Sequence, residues 1–148
     1  ILVIKYASIF KMPNISFRFF NVYGPRLNTT GQYAAVFGNF LKQKKNKKPL
    51  TIVGDGKQTR DFIYVDDLID AFLKVIKTPL TNKIYNLGSG KETSINEIAS
   101  LFGGKRIFIP KRPGEPKRSC ANINKVKRDL KWHPKIYISK GIDKILNS

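Results

Sequence analysis

Three short runs hold the side chains best suited to chemistry on a phosphate. They are Arg18-Phe19-Phe20-Asn21-Val22-Tyr23-Gly24-Pro25-Arg26, Gly54-Asp55-Gly56-Lys57-Gln58-Thr59-Arg60-Asp61-Phe62 and Arg112-Pro113-Gly114-Glu115-Pro116. Each sets an arginine or an amide in or beside a turn rich in glycine and proline, where backbone and side chain can approach a ligand together. A guanidinium at Arg60 or Arg112 can hold two phosphate oxygens in parallel, which an ammonium does less specifically. The Asn21 amide can donate to a phosphate oxygen while its carbonyl accepts, and the Glu115 carboxylate offers two acceptor oxygens to a pair of hydroxyls. Together the runs predict one pocket for a pyrophosphate with a group attached at each end. The residues alone leave simpler roles open. Asn21 could close an Asx-turn, Arg60 could pair with Asp61 or Asp66, and Arg112 with Glu115 could be a charge pair in a solvated loop.

Other chemistries lack their residues. The 148 residues contain no glycine-rich dinucleotide fingerprint, and none of the 6 tyrosines has a lysine four places on. Tyr6, for instance, is followed at that spacing by Phe10. One cysteine, Cys120, and one histidine, His133, make neither a zinc set nor a nucleophile–base pair. A lone cysteine cannot form an internal disulfide, which favours a reducing compartment, and the expected location is cytoplasmic. No apolar run reaches membrane-spanning length, so no membrane partner is expected.

The formal charge is +18, from 28 basic and 10 acidic residues. Such an excess can mark a nucleic-acid binder. Its densest run, Lys42-Gln43-Lys44-Lys45-Asn46-Lys47-Lys48, reads instead as the solvated end of a helix, where cations suit the negative pole of the dipole. The other basic residues are scattered, with no alternating aromatic platform of the kind single-strand binders use. No nucleic-acid partner is expected.

The positioning elements follow from periodicity. Residues 1–10 read as the end of a helix. Ile1 is not a methionine and already looks mid-helix, so the chain is expected to be a truncation. Residues 15–20 read as a buried parallel strand, apolar on both faces except at Arg18, and residues 21–30 as loop. Residues 33–45 read as an amphipathic helix through Tyr33, Val36, Phe37, Phe40 and Leu41. Residues 50–53 and 61–64 read as extended. Asp66 is expected to cap a helix with Leu68, Ala71, Phe72, Val75 and Ile76 on its apolar face. Residues 83–87 form a strand running into Gly88-Ser89-Gly90. Ser94 and Glu97 have capping-box spacing for a helix over 95–102, stopped by Gly103-Gly104. A strand over 106–110, a proline-rich loop over 111–119, a short helix capped by Asn124, a Trp132-His133-Pro134 packing turn and a last helix from near Lys140 complete the chain. Alternating strands and helices predict an α/β layered fold.

These motifs resemble the extended short-chain dehydrogenase/reductase family. The resemblance is nearest to its NAD-dependent nucleotide-sugar epimerases and dehydratases of the UDP-glucose 4-epimerase kind. It rests on four ordered segments: residues 18–26, 49–70 (PLTIVGDGKQTRDFIYVDDLID), 85–99 (YNLGSGKETSINEIA) and 110–125 (PKRPGEPKRSCANINK). It implies the C-terminal part of a Rossmann-type α/β enzyme. Residues 1–30 would end the NAD-binding domain, and residues 31–148 would form the smaller nucleotide-sugar lobe. The chain would begin just after its own catalytic Tyr-x-x-x-Lys, so no catalytic residue is assigned.

By the same resemblance Asn21, Arg60 and Arg112 contact the substrate pyrophosphate, Glu115 the ribose, and Thr51 to Val53 the base. Phe19 and Val22 would line the nicotinamide side, although Phe19 is equally readable as core. Asn122 stands where the family often has Asp, which weakens any capping role there. Tyr33 and Val36 fall where some members touch the sugar. The implied cofactor is NAD, the partner a UDP-sugar, and the longer enzyme a homodimer. A 4,6-dehydratase or UDP-glucuronate decarboxylase relative is the nearest alternative.

Overall fold

The computed structural model describes residues 2–27 and 36–147. Fourteen elements follow in chain order. They are α1 (Leu2–Ile9), β1 (Ile15–Phe19), β2 (Asn21–Tyr23), α2 (Val36–Lys45), β3 (Leu50–Val53), β4 (Thr59–Arg60), β5 (Phe62–Tyr64), α3 (Val65–Ile76), β6 (Lys83–Leu87), β7 (Thr93–Ser94), α4 (Ile95–Phe102), β8 (Arg106–Ile109), α5 (Asn124–Leu130) and α6 (Ile138–Leu146). Three ladders are parallel (β1 with β6, β2 with β5, β3 with β8), and β4–β7 is antiparallel. This is the expected mixed α/β class.

The residues expected as loop after position 20 begin instead with a strand. The chain stays extended from Ile15 to Tyr23 but changes partner midway. The Phe20 amide still donates to the Leu87 carbonyl at the end of β6, whereas the next amide, Asn21, donates to Asp61 beside β5. Two neighbouring ladders therefore part at Asn21. In open α/β sheets such a division leaves a crevice at the carboxyl ends of the strands. A strand of three residues whose partner lies some forty positions away leaves no local pattern to read.

Two apolar clusters flank this division. One gathers Tyr23, Phe37, Phe40, Leu50, Ile52, Phe62, Ile98, Phe102 and Ile142. Tyr23 stacks on Phe37 at 4.4 Å between centroids, and Phe37 and Phe40 meet the edge of Phe102 at 5.7 and 5.6 Å. Aromatic pairs in such offset and edge geometries add to their area burial. The second cluster joins Ile63, Ala71, Tyr85, Leu87, Val126 and Trp132. Trp132 packs as expected, and its indole N–H donates to the Asp67 carbonyl at 3.1 Å. The buried Asp67 carboxylate accepts from the Lys135 and Ile136 amides at 2.9 and 3.0 Å. The segment after α5 is thereby tied to the first turn of α3.

Several local expectations are met and several corrected. Ser94 caps α4, its hydroxyl accepting from the Glu97 amide at 3.1 Å, and Gly103 ends the helix at φ 71°. Helix α3 starts at Val65, two residues earlier than the Asp66 cap requires. Tyr64 is the capping position without a side-chain bond, and Asp66 and Asp67 fall in the first turn, where carboxylates favour the positive pole. Asn124 is likewise inside α5, behind Ile123, which is the capping position without a side-chain bond, and the Asn122 side-chain oxygen accepts from the Asn124 amide at 3.1 Å. Helix α6 begins at Ile138 rather than near Lys140. Strand β1 is not buried on both faces: Phe19 is half exposed, as are Ile69, Leu73 and much of α1. Phe72 and Ile76, expected in the apolar face of α3, are also exposed. Tyr33 lies outside the described residues. No helix among the described residues is long and apolar enough to cross a membrane.

Candidate functional site

A cleft of about 390 Å³ opens where the ladders part, and it is lined by Asn21, Thr51, Val53, Arg60, Arg112 and Glu115. All six residues assigned to substrate by sequence thus share one cavity, although they come from β2, β3, β4 and the loop after β8. Val36 also lines it.

The frame behind Asn21 and Arg60 is the side chain of Asp61, which its place in the sequence offers only as a charge partner. Asp61 is fully buried. One carboxylate oxygen accepts from the Ser89 amide and hydroxyl at 2.6 and 2.7 Å. The other accepts from the Gly90 and Ala121 amides at 2.9 and 3.0 Å. A buried carboxylate is tolerated when its lone pairs are filled in this way. The knot joins the β4–β5 junction, the turn after β6 and the segment before α5. Its main-chain carbonyl then accepts from the Asn21 side-chain amide at 2.8 Å and from the Asn21 backbone amide at 3.1 Å. Asn21 is therefore oriented by the strand frame and not by an Asx-turn of its own. An acidic residue next to an arginine gave no hint of this, because its partners lie 28 to 60 positions away.

Arg60 pairs with neither Asp61 nor Asp66. It donates to the carbonyls of Thr59 and Pro116, each at 2.8 Å, and to Glu115 at 3.0 Å. With side-chain exposures of 15% and 27%, this pair sits in the wall of the cleft rather than on a solvated loop. Arg112 lines the same cleft, and among the described residues it forms no ion pair. Two guanidinium groups and one carboxylate leave the polar wall with an excess of one positive charge, suited to an anion. The loop carrying Arg112 and Glu115 is strapped down by Glu92. This residue accepts from Thr59 at 2.6 Å and from Arg118 at 3.0 Å. The hydrogen bonds from Arg118 and then Thr59 pull the Glu92 carboxyl down to about 2.

Cys120 follows this strap. Burial, then the charges of Asp61 and Glu92, push its thiol above the usual range, which disfavours the reactive thiolate. His133 lines a separate cleft of about 410 Å³ with Lys91, Lys135 and Tyr137. No cluster of His, Cys, Asp and Glu able to hold a metal occurs among the described residues.

The two residues assigned to the nicotinamide side do not line the six-residue cleft. Val22 packs against the second apolar cluster. Phe19 is 50% exposed beside Phe17 and Phe72, so it is neither core nor part of that wall.

The comparisons agree with this architecture. The chain belongs to the NAD dependent epimerase/dehydratase family, whose profile matches residues 1–88. A Methanocaldococcus jannaschii protein provisionally named UDP-glucose 4-epimerase is 40% identical over 137 residues, covering 88% of this chain and 43% of that protein. A UDP-glucuronate 4-epimerase of Thermodesulfobacterium geofontis is 36% identical, with 88% and 41% covered. Among solved structures, Thermotoga maritima UDP-glucose 4-epimerase with UDP-glucose superposes with a TM-score of 0.91 at 28% identity, over 99% of this chain and 48% of that one. Bacillus cereus UDP-glucuronic acid 4-epimerase, solved with UDP-glucuronic acid and NAD, gives 0.85 at 33% identity, over 97% and 47%. The chain spans under half the length of these relatives.

NAD is the cofactor of this family. The residues present do not by themselves make its site, since Phe19 offers only an apolar face and the sequence has no glycine-rich phosphate turn. No chemical step through the cofactor follows from this chain.

Proposed function

We propose that the chain is the substrate-binding portion of an NAD-dependent nucleotide-sugar epimerase that inverts C4 of a UDP-hexose by way of a 4-keto sugar. In this reading residues 1–30 close the cofactor domain and residues 31–148 form the sugar-nucleotide lobe. The chain alone binds without turnover, because no tyrosine–lysine pair is present to move the hydroxyl proton. The exposed apolar faces of α1 and α3 are the surfaces on which the cofactor half packs, and the complete enzyme is a homodimer in the cytoplasm.

The observation that carries the reading is the convergence of Asn21, Arg60, Arg112 and Glu115 on one cleft. The Asn21 amide keeps one N–H beyond its bond to Asp61, and Arg112 brings a guanidinium fork that forms no ion pair among the described residues. Together with Arg60 they hold the diphosphate from two sides. Glu115 keeps one carboxylate oxygen beyond its bond to Arg60, and this accepts from the ribose. Holding the nucleotide away from the reacting carbon is how remote binding orients a sugar for reaction.

A decarboxylase reading has one observation in its favour. UDP-glucuronic acid decarboxylase 1 of Arabidopsis thaliana is 33% identical over 138 residues. Both readings place a UDP-sugar in the same cleft.

Calorimetric titration with UDP, set beside duplex DNA at several salt concentrations, is the test. Binding of UDP with little DNA binding at physiological salt is expected. Strong DNA binding with a steep salt slope and no response to UDP would make the chain a basic nucleic-acid module instead.

A further inference from the structure

The cleft is also lined by the edge of β3 that pairs with no strand among the described residues. The Leu50 amide donates to Lys105 and the Gly54 amide to Ile109, so these alternate residues turn their main chain to β8 and its flanks. Thr51 and Val53 turn theirs the other way. A free edge carries a row of amide donors and carbonyl acceptors, which pairs with whatever planar amide-like group is laid against it.

Two glutamines occupy the ends of this row. Gln43, on the last turns of α2, accepts from the Thr51 amide at 3.0 Å and donates to the Thr51 hydroxyl at 2.8 Å. Gln58 donates to the Val53 carbonyl at 2.9 Å. Both side chains line the cleft. Between them remain the Thr51 carbonyl and the Val53 amide, for which the described residues supply no partner. An acceptor at one residue and a donor two residues on match the adjacent donor and acceptor of a heterocyclic base.

We propose that Gln43 is a positioning residue for nucleobase recognition: its two-bond clamp on Thr51 fixes the β3 edge so that the Thr51 carbonyl and Val53 amide face the base. The inference rests on the nucleotide-sugar reading above and adds to it the residue that holds the base-reading edge in place. Gln43 reaches Thr51 from a different element, so the clamp also sets the spacing between α2 and β3. Nothing in the lysine run around Gln43 sets it apart in sequence, yet it alone of that run lines the cleft.

The test separates base from phosphate. The 148-residue chain is titrated with UDP and with inorganic pyrophosphate, which has no base. Gln43→Met keeps the volume and loses both bonds, and Gln43→Ala is its companion. The expected result is UDP affinity lower by roughly tenfold, the scale of one or two net hydrogen bonds, with pyrophosphate affinity unchanged. Unaltered UDP affinity in both variants overturns the role of Gln43. Equal losses for UDP and pyrophosphate, with lowered melting temperature, also overturn it by showing a merely structural part. A parent chain that binds neither probe refutes the underlying nucleotide reading instead.

Discussion

Replacing Arg60 and Arg112 one at a time separates two kinds of arginine in one cleft. Arg60 makes three hydrogen bonds to the protein, one of them to Glu115. Removing it leaves the Pro116 carbonyl and the Glu115 carboxylate without that donor. At about 0.5–1.5 kcal/mol net for each neutral bond, and with the ion pair discounted for its partial exposure, Arg60→Ala costs roughly 2–3 kcal/mol of folding stability. Arg112 is exposed and has no ion pair among the described residues, so Arg112→Ala stays within about 0.5 kcal/mol of the parent. For a diphosphate ligand the two are expected to cost alike, about 1.5–3 kcal/mol each, the scale of a charge-assisted hydrogen bond. Urea denaturation measures the first quantity and calorimetric titration with UDP the second. Weakened binding in both variants, with lost stability in Arg60→Ala only, is the expected pattern. Unchanged UDP affinity in Arg112→Ala would refute the assignment, and undiminished stability in Arg60→Ala would refute the wall of bonds around Glu115.

Three further outcomes follow from the same geometry. Asp61→Ala strips four donors of their acceptor and is expected to unfold the chain or to lower its urea midpoint far more than any cleft variant; a midpoint near the parent's would dissolve the proposed frame. Because the Glu92 carboxyl is held down to about 2, its contribution is full above its ordinary value of 4.5 and is lost as pH falls from there through 2. Cleavage of the strap near Arg118 by a protease active in acid should speed up across that window, and not between pH 5 and 8. Cys120→Ser should leave UDP binding unaltered, and alkylation of the parent thiol should have its midpoint above the ordinary thiol value; a lost ligand or a midpoint below that value would contradict the passive reading of Cys120.

The elements that could be read from sequence are those whose signals are local. The Ser94–Glu97 spacing, the apolar face of α2 and the glycines after Phe102 each lie within one or two turns of what they determine. The misreadings at Asn21, Asp66 and Asn124 share a cause. Each depended on a partner remote in sequence or on a helix boundary one or two residues away, where propensity is nearly flat. The cleft divides in the same manner. Arg60, Arg112 and Glu115 could be picked out from residue type and turn context. That Arg60 grips Glu115, that Asp61 knots three segments, and that Gln43 clamps Thr51 are facts of tertiary packing. The half-exposed face of Phe19 was hidden for the same reason, because an aromatic in a strand reads as core whether or not anything covers it.

A structure of the chain bound to UDP tests the central claim most directly. The account predicts the diphosphate within hydrogen-bonding distance of Asn21, Arg60 and Arg112, and the base against the edge of β3. A diphosphate seated elsewhere, with those three side chains still engaged only with the protein, would contradict it.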